Sequence, residues 1–251
     1  MKNIFVVADI HGRLDELKLL LQKWNPTESM LLFVGDYFNR GPKGWEVIEY
    51  VKALKEQYPK QVFTLKGNHE EIFLDAIEHP YILDSYLFGN TQAITTLNNF
   101  KETAHIDMDE VEDVWQALIS QKADCISFIK EMPSYKLWGK YLFVHAGIDP
   151  YQESIAYMDE SDMRNIRDEF IYTKHTMKKA VVFGHTPTQT IMTEEVLNGN
   201  IWFSACRRKI GIDGGMQRLN AILLNKENEV IINYYVKEGE DTVKEKKYLR
   251  R

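Results

Sequence analysis

The sequence predicts an α/β protein with a largely parallel core and an antiparallel completion. Three observations predict it. Apolar runs of four to six residues recur, each stopping at a polar residue and usually beside a glycine. Stretches with helical spacing separate the first three runs. Close-spaced strand-like runs fill the last third, with turn residues between them.

The first run, Asn3–Ala8, stops at Asp9. Leu14, Leu17, Leu20 and Leu21 then repeat at helical spacing. Met30–Val34 stops at Gly35-Asp36, and Val47, Ile48, Val51 and Leu54 mark a second helix. Val62–Leu65 stops near Gly67-Asn68-His69. Strand, helix, strand, helix, strand implies right-handed crossovers and parallel pairing. Residues 80–138 read as a mostly helical insertion, with Val111, Val114, Trp115, Leu118, Ile119, Ile126 and Ile129 as its apolar positions between Asp109 and Lys130. Tyr141–Val144 stops at His145-Ala146-Gly147, and Ala180–Phe183 at Gly184-His185-Thr186.

The last third offers Ile201–Ser204, Lys209–Ile212, Ala221–Leu224 and Val230–Val236, with a hairpin at Asn225–Glu229. These read as antiparallel strands completing a second sheet against the first. The basic tail Lys244–Arg251 reads as a solvated terminus. A single domain over residues 1–251 is expected, with the insertion at about 80–138.

Composition narrows the function. The 251 residues are 44% hydrophobic and 27% charged, proportions of a globular chain rather than a disordered one. A net charge of -6, from 37 acidic and 31 basic residues, argues against a nucleic-acid partner. Two cysteines, Cys125 and Cys206, exclude a disulfide-stapled secreted module. The N-terminal apolar run is too short for a signal-peptide core, and no run could span a bilayer. A cytoplasmic protein with no membrane partner is expected; oligomeric state is not indicated.

In parallel sheets, ligands sit beyond the carboxyl ends of strands. Here those ends carry Asp9, His11, Asp36, Asn68, His69, His145 and His185. Singly, a strand-end Asp is usually a turn residue and a buried His a hydrogen-bonded one. Together they form the N/O donor set of divalent Mn, Fe or Zn. Two ions about 3.5–4 Å apart would suit phosphate-ester hydrolysis. His79, His105 and His175 lie away from such ends and are read as structural.

The motifs resemble those of the calcineurin-like metallophosphoesterases. Asp9-Ile10-His11-Gly12 is similar to DxHG and Gly35 to Gly41 to GDxxDRG, while Gly67-Asn68-His69-Glu70 matches GNHE. His145-Ala146-Gly147 and Gly184-His185-Thr186 match HAG and GHT, and Ile212-Asp213-Gly214-Gly215 resembles a late IDTG segment. Pro187 after the last His points to the bacterial phosphoprotein-phosphatase-like branch, which includes diadenosine tetraphosphatases. The resemblance implies a four-layer α+β fold. Two mixed β-sheets would pack as a sandwich flanked by helices, with the metal site at the C-terminal strand edge.

It also implies roles. Asp9, His11 and a bridging Asp36 would hold one divalent ion, and Asp36, Asn68, His145 and His185 a second. His69 would be the general acid, and Arg40, Arg167 and Asn68 would hold phosphate, with Arg164 as an alternative to Arg167. A metal-activated hydroxide would attack phosphorus without a covalent enzyme intermediate. Asn39 is a departure, because the family carries Asp there to support the His. The uncharged amide implies weaker leaving-group protonation, and an optimum shifted to lower pH or to good leaving groups. Glu70 reads as a cap of the following helix or as support for the metal ligands. The partner is a phosphorylated substrate, with serine/threonine phosphoprotein first and dinucleoside polyphosphate second. Tyr81, Tyr86, Phe88, Phe100 and Trp115 are the insertion's candidates for base stacking. A non-catalytic binding module with a retained metal site is the remaining class.

Overall fold

The computed structural model describes residues 3–191, 200–225 and 230–249. The first part alternates as its apolar spacing requires: β1 (Asn3–Val7), α1 (Leu14–Leu21), β2 (Ser29–Phe33), α2 (Gly44–Gln57), β3 (Val62–Thr64) and α3 (Asn68–Glu78). Leu14, Leu17, Leu20 and Leu21 of α1 face the core, as do Val47, Ile48, Val51 and Leu54 of α2. β1, β2 and β3 pair in parallel, with Phe5 opposite Leu31 and Leu32 opposite Phe63.

Helices follow: a 3-10 turn at Pro80–Ile82, then α4 (Leu83–Phe88), α5 (Ile94–Thr103), α6 (Val111–Gln121) and α7 (Ala123–Lys130). Lys122 separates α6 from α7, so Asp109–Lys130 is two helices. The segment read as helical to residue 138 ends instead in a strand, β4 (Tyr135–Trp138). It pairs antiparallel with β5 (Tyr141–Val144) across the turn at Gly139. The short helices α8 (Glu160–Asn165) and α9 (Asp168–Tyr172) lead to β6 (Ala180–Phe183), which runs parallel to β5.

The last third departs most from expectation. β7 (Trp202–Phe203) and β8 (Lys209–Gly211) close the second sheet, but β8 runs parallel to β6. β9 (Arg218–Asn225) and β10 (Val230–Lys237) join the first sheet, where β9 pairs antiparallel with β1. The reason lies in the faces of β9. Ile222 and Leu224 pack between the sheets, while Leu219 and Ala221 pack under the helices. A strand apolar on both faces belongs inside a sheet rather than at its edge. Residues 226–229 of the expected hairpin lie outside the described residues. The tail is not a solvated coil: β11 (Lys244–Leu249) pairs with β10, with Tyr248 packed on Phe203 at 5.3 Å. Its lysines suit an exposed sheet edge, where charge discourages further pairing.

Among the described residues the strand orders are β11-β10-β9-β1-β2-β3 and β4-β5-β6-β8-β7. Ile4, Val6, Leu32, Phe143, Val182 and Ile210 fill the space between the sheets. Phe5, Val7 and Phe33 alternate to the other face and pack with α1 to α7, while Leu142, Val144 and Phe183 pack with α8 and α9. This is the expected four-layer sandwich. The parallel strands of both sheets end at one rim.

Candidate metal centre

That rim gathers the strand-end residues. Asp9, His11, Asp36, His69, His145 and His185 are all buried. The backbone there is unusual: Asp9 (φ 51), His11 (φ 47), Asp36 (φ 58), Asn39 (φ 67), Arg40 (φ 67) and His185 (φ 63) are left-handed. For a non-glycine residue this costs about 1–3 kcal/mol, and it clusters where function needs an aimed side chain. Glu70 holds part of this turn. Its carboxylate accepts from Gly67 N, Asp36 N and Tyr37 N, each at 2.9 Å. Glu70 therefore caps α3 and fixes the Asp36 loop, so both readings of it apply.

Two triads share Asp36. Ligand atoms of His11, Asp36 and His69 lie within 4.8 Å of one another, as do those of Asp36, His145 and His185. Their hydrogen bonds fix which nitrogens are bare. His145 Nδ1 donates to Val34 O at 2.8 Å, leaving Nε2 without a hydrogen, 3.0 Å from Asn68 Oδ1 and 3.3 Å from Asp36 Oδ1. His185 Nε2 donates to Asn165 O at 3.2 Å, leaving Nδ1 2.9 Å from the same Asn68 oxygen. His11 Nδ1 donates to Phe38 O, so its Nε2 lone pair faces Asp36 Oδ2 at 3.5 Å. At Asn68, His145 and His185, lone pairs thus face lone pairs, an arrangement that a cation relieves. The residues fit divalent metal ions on this ground.

The first triad contains His69 in the place expected for Asp9. Asp9 Oδ1 accepts from His185 N at 2.8 Å. Its Oδ2 is buried with no hydrogen-bond partner among the described residues, against Gly184. That open acceptor is the one Asp9 atom available to an ion. Arg40, a cation, already lies over the first triad, with Nη1 3.0 Å from His11 Nε2 and Nη2 3.3 Å from His69 Nε2.

Burial governs the charges. It pushes the Asp36 carboxyl up to about 7 and pulls His145 down to about 4. It holds His11, His69 and His185 well below the usual imidazole range, with neighbouring imidazoles and Arg40 or Arg167 adding to the effect. Asp9 is raised by burial and then by Asp213 and Asp36, and Glu70 by burial and then by Asp36, to about 7. Bare imidazoles at neutral pH are the form that binds metal.

Arg167 is exposed and donates to His185 O at 2.9 Å, so it stands on the rim. Arg164 is committed elsewhere, to Glu71 at 2.6 Å, Ser134 and Glu160. His79 and His105 are exposed, and His175 donates to Arg208 O. Tyr86, Phe100 and Trp115 are core residues, while Tyr81 and Phe88 are 84% and 62% exposed. Three supporting residues have contacts the sequence did not indicate, Tyr86 among them in place of its stacking reading. Arg13 is buried and donates to Asp9 O and Gly215 O. Thr96 Oγ1 accepts from Asn39 N at 2.8 Å, and Tyr86 OH donates to Asn39 Oδ1 at 3.4 Å. Arg13, two positions after His11, is the only one of the three near a motif.

Comparisons with known proteins agree with this geometry. The chain is 28% identical over 167 residues to a serine/threonine-protein phosphatase of Caenorhabditis elegans, covering 66% of this chain and 30% of that protein. It thus spans under a third of the curated relative's length. Among solved structures, a candidate diadenosine tetraphosphatase superposes with a TM-score of 0.61 at 18% identity, covering 95% of each chain. A mutant cold-active protein tyrosine phosphatase gives 0.57 at 17% identity, covering 100% of this chain and 81% of the other. These structures share the fold. The family model described as calcineurin-like phosphoesterase matches residues 2–232, and the chain belongs to that family.

Proposed function

We propose that this protein is a metal-dependent hydrolase of phosphoric esters. The observation that carries the proposal is the hydrogen-free meeting of Asn68 Oδ1, His145 Nε2 and His185 Nδ1 beside Asp36. Two divalent cations, Mn, Fe or Zn by donor type, would lower the pKa of a water and offset phosphoryl charge there. Asp36 lies in both triads and so joins the two positions. His11, with Asp9 Oδ2 nearby in sequence, serves one; Asn68, His145 and His185 serve the other. Arg40 stands at the mouth, where its planar fork can take two phosphoryl oxygens. Arg167, between α8 and α9 and bonded to His185 O, is a second rim cation for the same phosphate.

For the substrate, a phosphoprotein of the serine/threonine-phosphatase kind is supported by the phosphatase relative. A dinucleoside polyphosphate is supported by the exposed Tyr81 and Phe88 on the insertion, available for base stacking. The test is an assay of Mn²⁺-reloaded protein against p-nitrophenyl phosphate, a phosphoserine peptide and diadenosine tetraphosphate, with Asp36→Asn as control. Metal-dependent turnover that disappears in the control supports the reading. Bound metal without turnover on any of them would sink it in favour of a binding module.

A further inference from the structure

The terminal strands of the two sheets differ in how their open edges are guarded. β11 carries lysines, and β7 is only two residues long. On β3, Lys55 Nζ donates to Val62 O at 2.7 Å, and beyond its end Lys66 N donates to Pro133 O at 3.0 Å. β4 has no such cover. Its hairpin turns through two residues, Gly139 and Lys140, so Trp138 with Tyr141 and Lys136 with Phe143 are the hydrogen-bonded pairs. The N–H and C=O groups of Tyr135 and Leu137 then point away from β5. Among the described residues no other backbone group bonds them. Both side chains are exposed, Tyr135 by 36% and Leu137 by 43%.

A groove follows this edge on each face. Toward the first sheet, a groove of about 380 Å³ is lined by Phe63, Phe128 and Met132 and by Lys55 and Lys136. Lys136 Nζ lies 3.3 Å from the centre of the Phe63 ring, and Lys55 Nζ 4.9 Å from it. Burial pulls both amines down, Lys55 adds to the effect on Lys136, and no carboxylate opposes it. Leu137 pairs with Leu142 and so faces the side of α8 and α9. There a groove of about 340 Å³ is lined by Leu137, Ile155 and Met177, with Lys178 and Lys179 beside them. Each groove holds two lysines against one glutamate, Glu131 or Glu153, on a chain of net charge -6. The edge is thus a local patch of positive charge.

We propose that the open edge of β4 docks an extended segment of a partner protein, one that alternates acidic with apolar side chains and joins the second sheet as a further strand. Such a segment hydrogen-bonds to Tyr135 and Leu137, and its side chains point alternately to the two faces. Those toward the first sheet meet Lys55 and Lys136, which selects carboxylates. Those on the other face lie beside Leu137, Ile155 and Met177, which selects apolar groups. A second copy of this chain suits the edge poorly. Pairing β4 with β4 brings the lysines of one copy to those of the other, and like charges across strands are destabilising. None of these residues belongs to the metal centre, so failure of the hydrolase reading leaves this surface intact.

The experiment titrates the whole metal-loaded chain with short, capped, fluorophore-labelled peptides, read by anisotropy. One alternates glutamate with valine, one lysine with valine, and one glutamate with serine. The first should bind, and each of the others about tenfold or more weaker, for loss of a charge-assisted bond or of buried aliphatic groups. Lys136→Glu should weaken the glutamate–valine peptide by about tenfold and strengthen the lysine–valine one. Leu137→Pro removes an outward N–H, leaves the ladder to β5 in place, and should abolish binding. Thermal melts check that both variants fold. Amide exchange of the unmodified chain gives a reading free of mutation: the bound peptide should slow Tyr135 and Leu137. A glutamate–valine peptide that does not bind, binds no better than lysine–valine, or leaves those two amides unchanged overturns the proposal. So does a dimer in sedimentation equilibrium that Leu137→Pro dissociates, because a second copy would then occupy the edge.

Discussion

His145 Nε2 and Asn68 Oδ1 lie 3.0 Å apart with no hydrogen between them. Two acceptors at this distance repel unless a cation lies between or beside them. The metal-bound protein should therefore be more stable than the stripped one. At an ion concentration a hundred times Kd, binding adds about 2.7 kcal/mol. Differential scanning calorimetry with and without chelator measures it. Equal transition temperatures would contradict the assignment of this cluster as a metal centre.

Asp36 sets the pH dependence of metal binding. Its folded carboxyl is raised from 3.8 to about 7. In metal-free protein this group's stabilising contribution is full below 3.8 and is lost as pH rises through about 7. Metal needs the deprotonated form, so affinity should climb as pH rises to about 7 and flatten above it. The buried histidines are already neutral across that window and add little slope. Titration calorimetry at pH 6, 7 and 8 in buffers of different ionisation enthalpy would count the released proton. Flat affinity across this range would rule out the coupling.

Gly184 has space for no side chain. A Cβ there would overlap Asp9 Oδ2, the open acceptor of the site. Gly184→Ala should displace Asp9, weaken metal binding and cost about 1–3 kcal/mol of stability, the usual range for overpacking. Urea unfolding and a metal titration read the two effects, and an unchanged metal affinity would show that Asp9 is not a ligand.

Arg167 and Arg164 are three residues apart and should behave oppositely. Arg164 is tied to Glu71, Ser134 and Glu160, so Arg164→Ala should lower stability by about 1 kcal/mol and leave KM unchanged. Arg167 is exposed and aimed along the rim by His185 O. Arg167→Ala should raise KM about tenfold, the loss of one charge-assisted hydrogen bond of about 1.5 kcal/mol. Steady-state kinetics beside thermal melts separates the two. The reverse pattern would make Arg164 the phosphate-facing residue.

The centre was legible in the sequence because each ligand sits one to four residues beyond a strand, and local chain direction carries it to the rim. Asp9, His11, Asp36, Asn68, His145 and His185 needed only the apolar runs before them to be placed. The strand pattern indicated the parallel β1, β2 and β3, while the four layers were implied by the resemblance of the motifs. Local pattern could not say that β9 inserts beside β1, that β8 runs parallel to β6, or that residues 244–249 form a strand. Those outcomes depend on which apolar faces remain uncovered once the rest of the chain has packed, a long-range condition no window of residues contains. The contact of Tyr86 with Asn39 is of the same kind. The sequence by itself determined which atoms could bind metal and phosphate. Only the tertiary structure decided which nitrogen of His11, His145 and His185 is bare, because a backbone carbonyl from a distant segment takes the other.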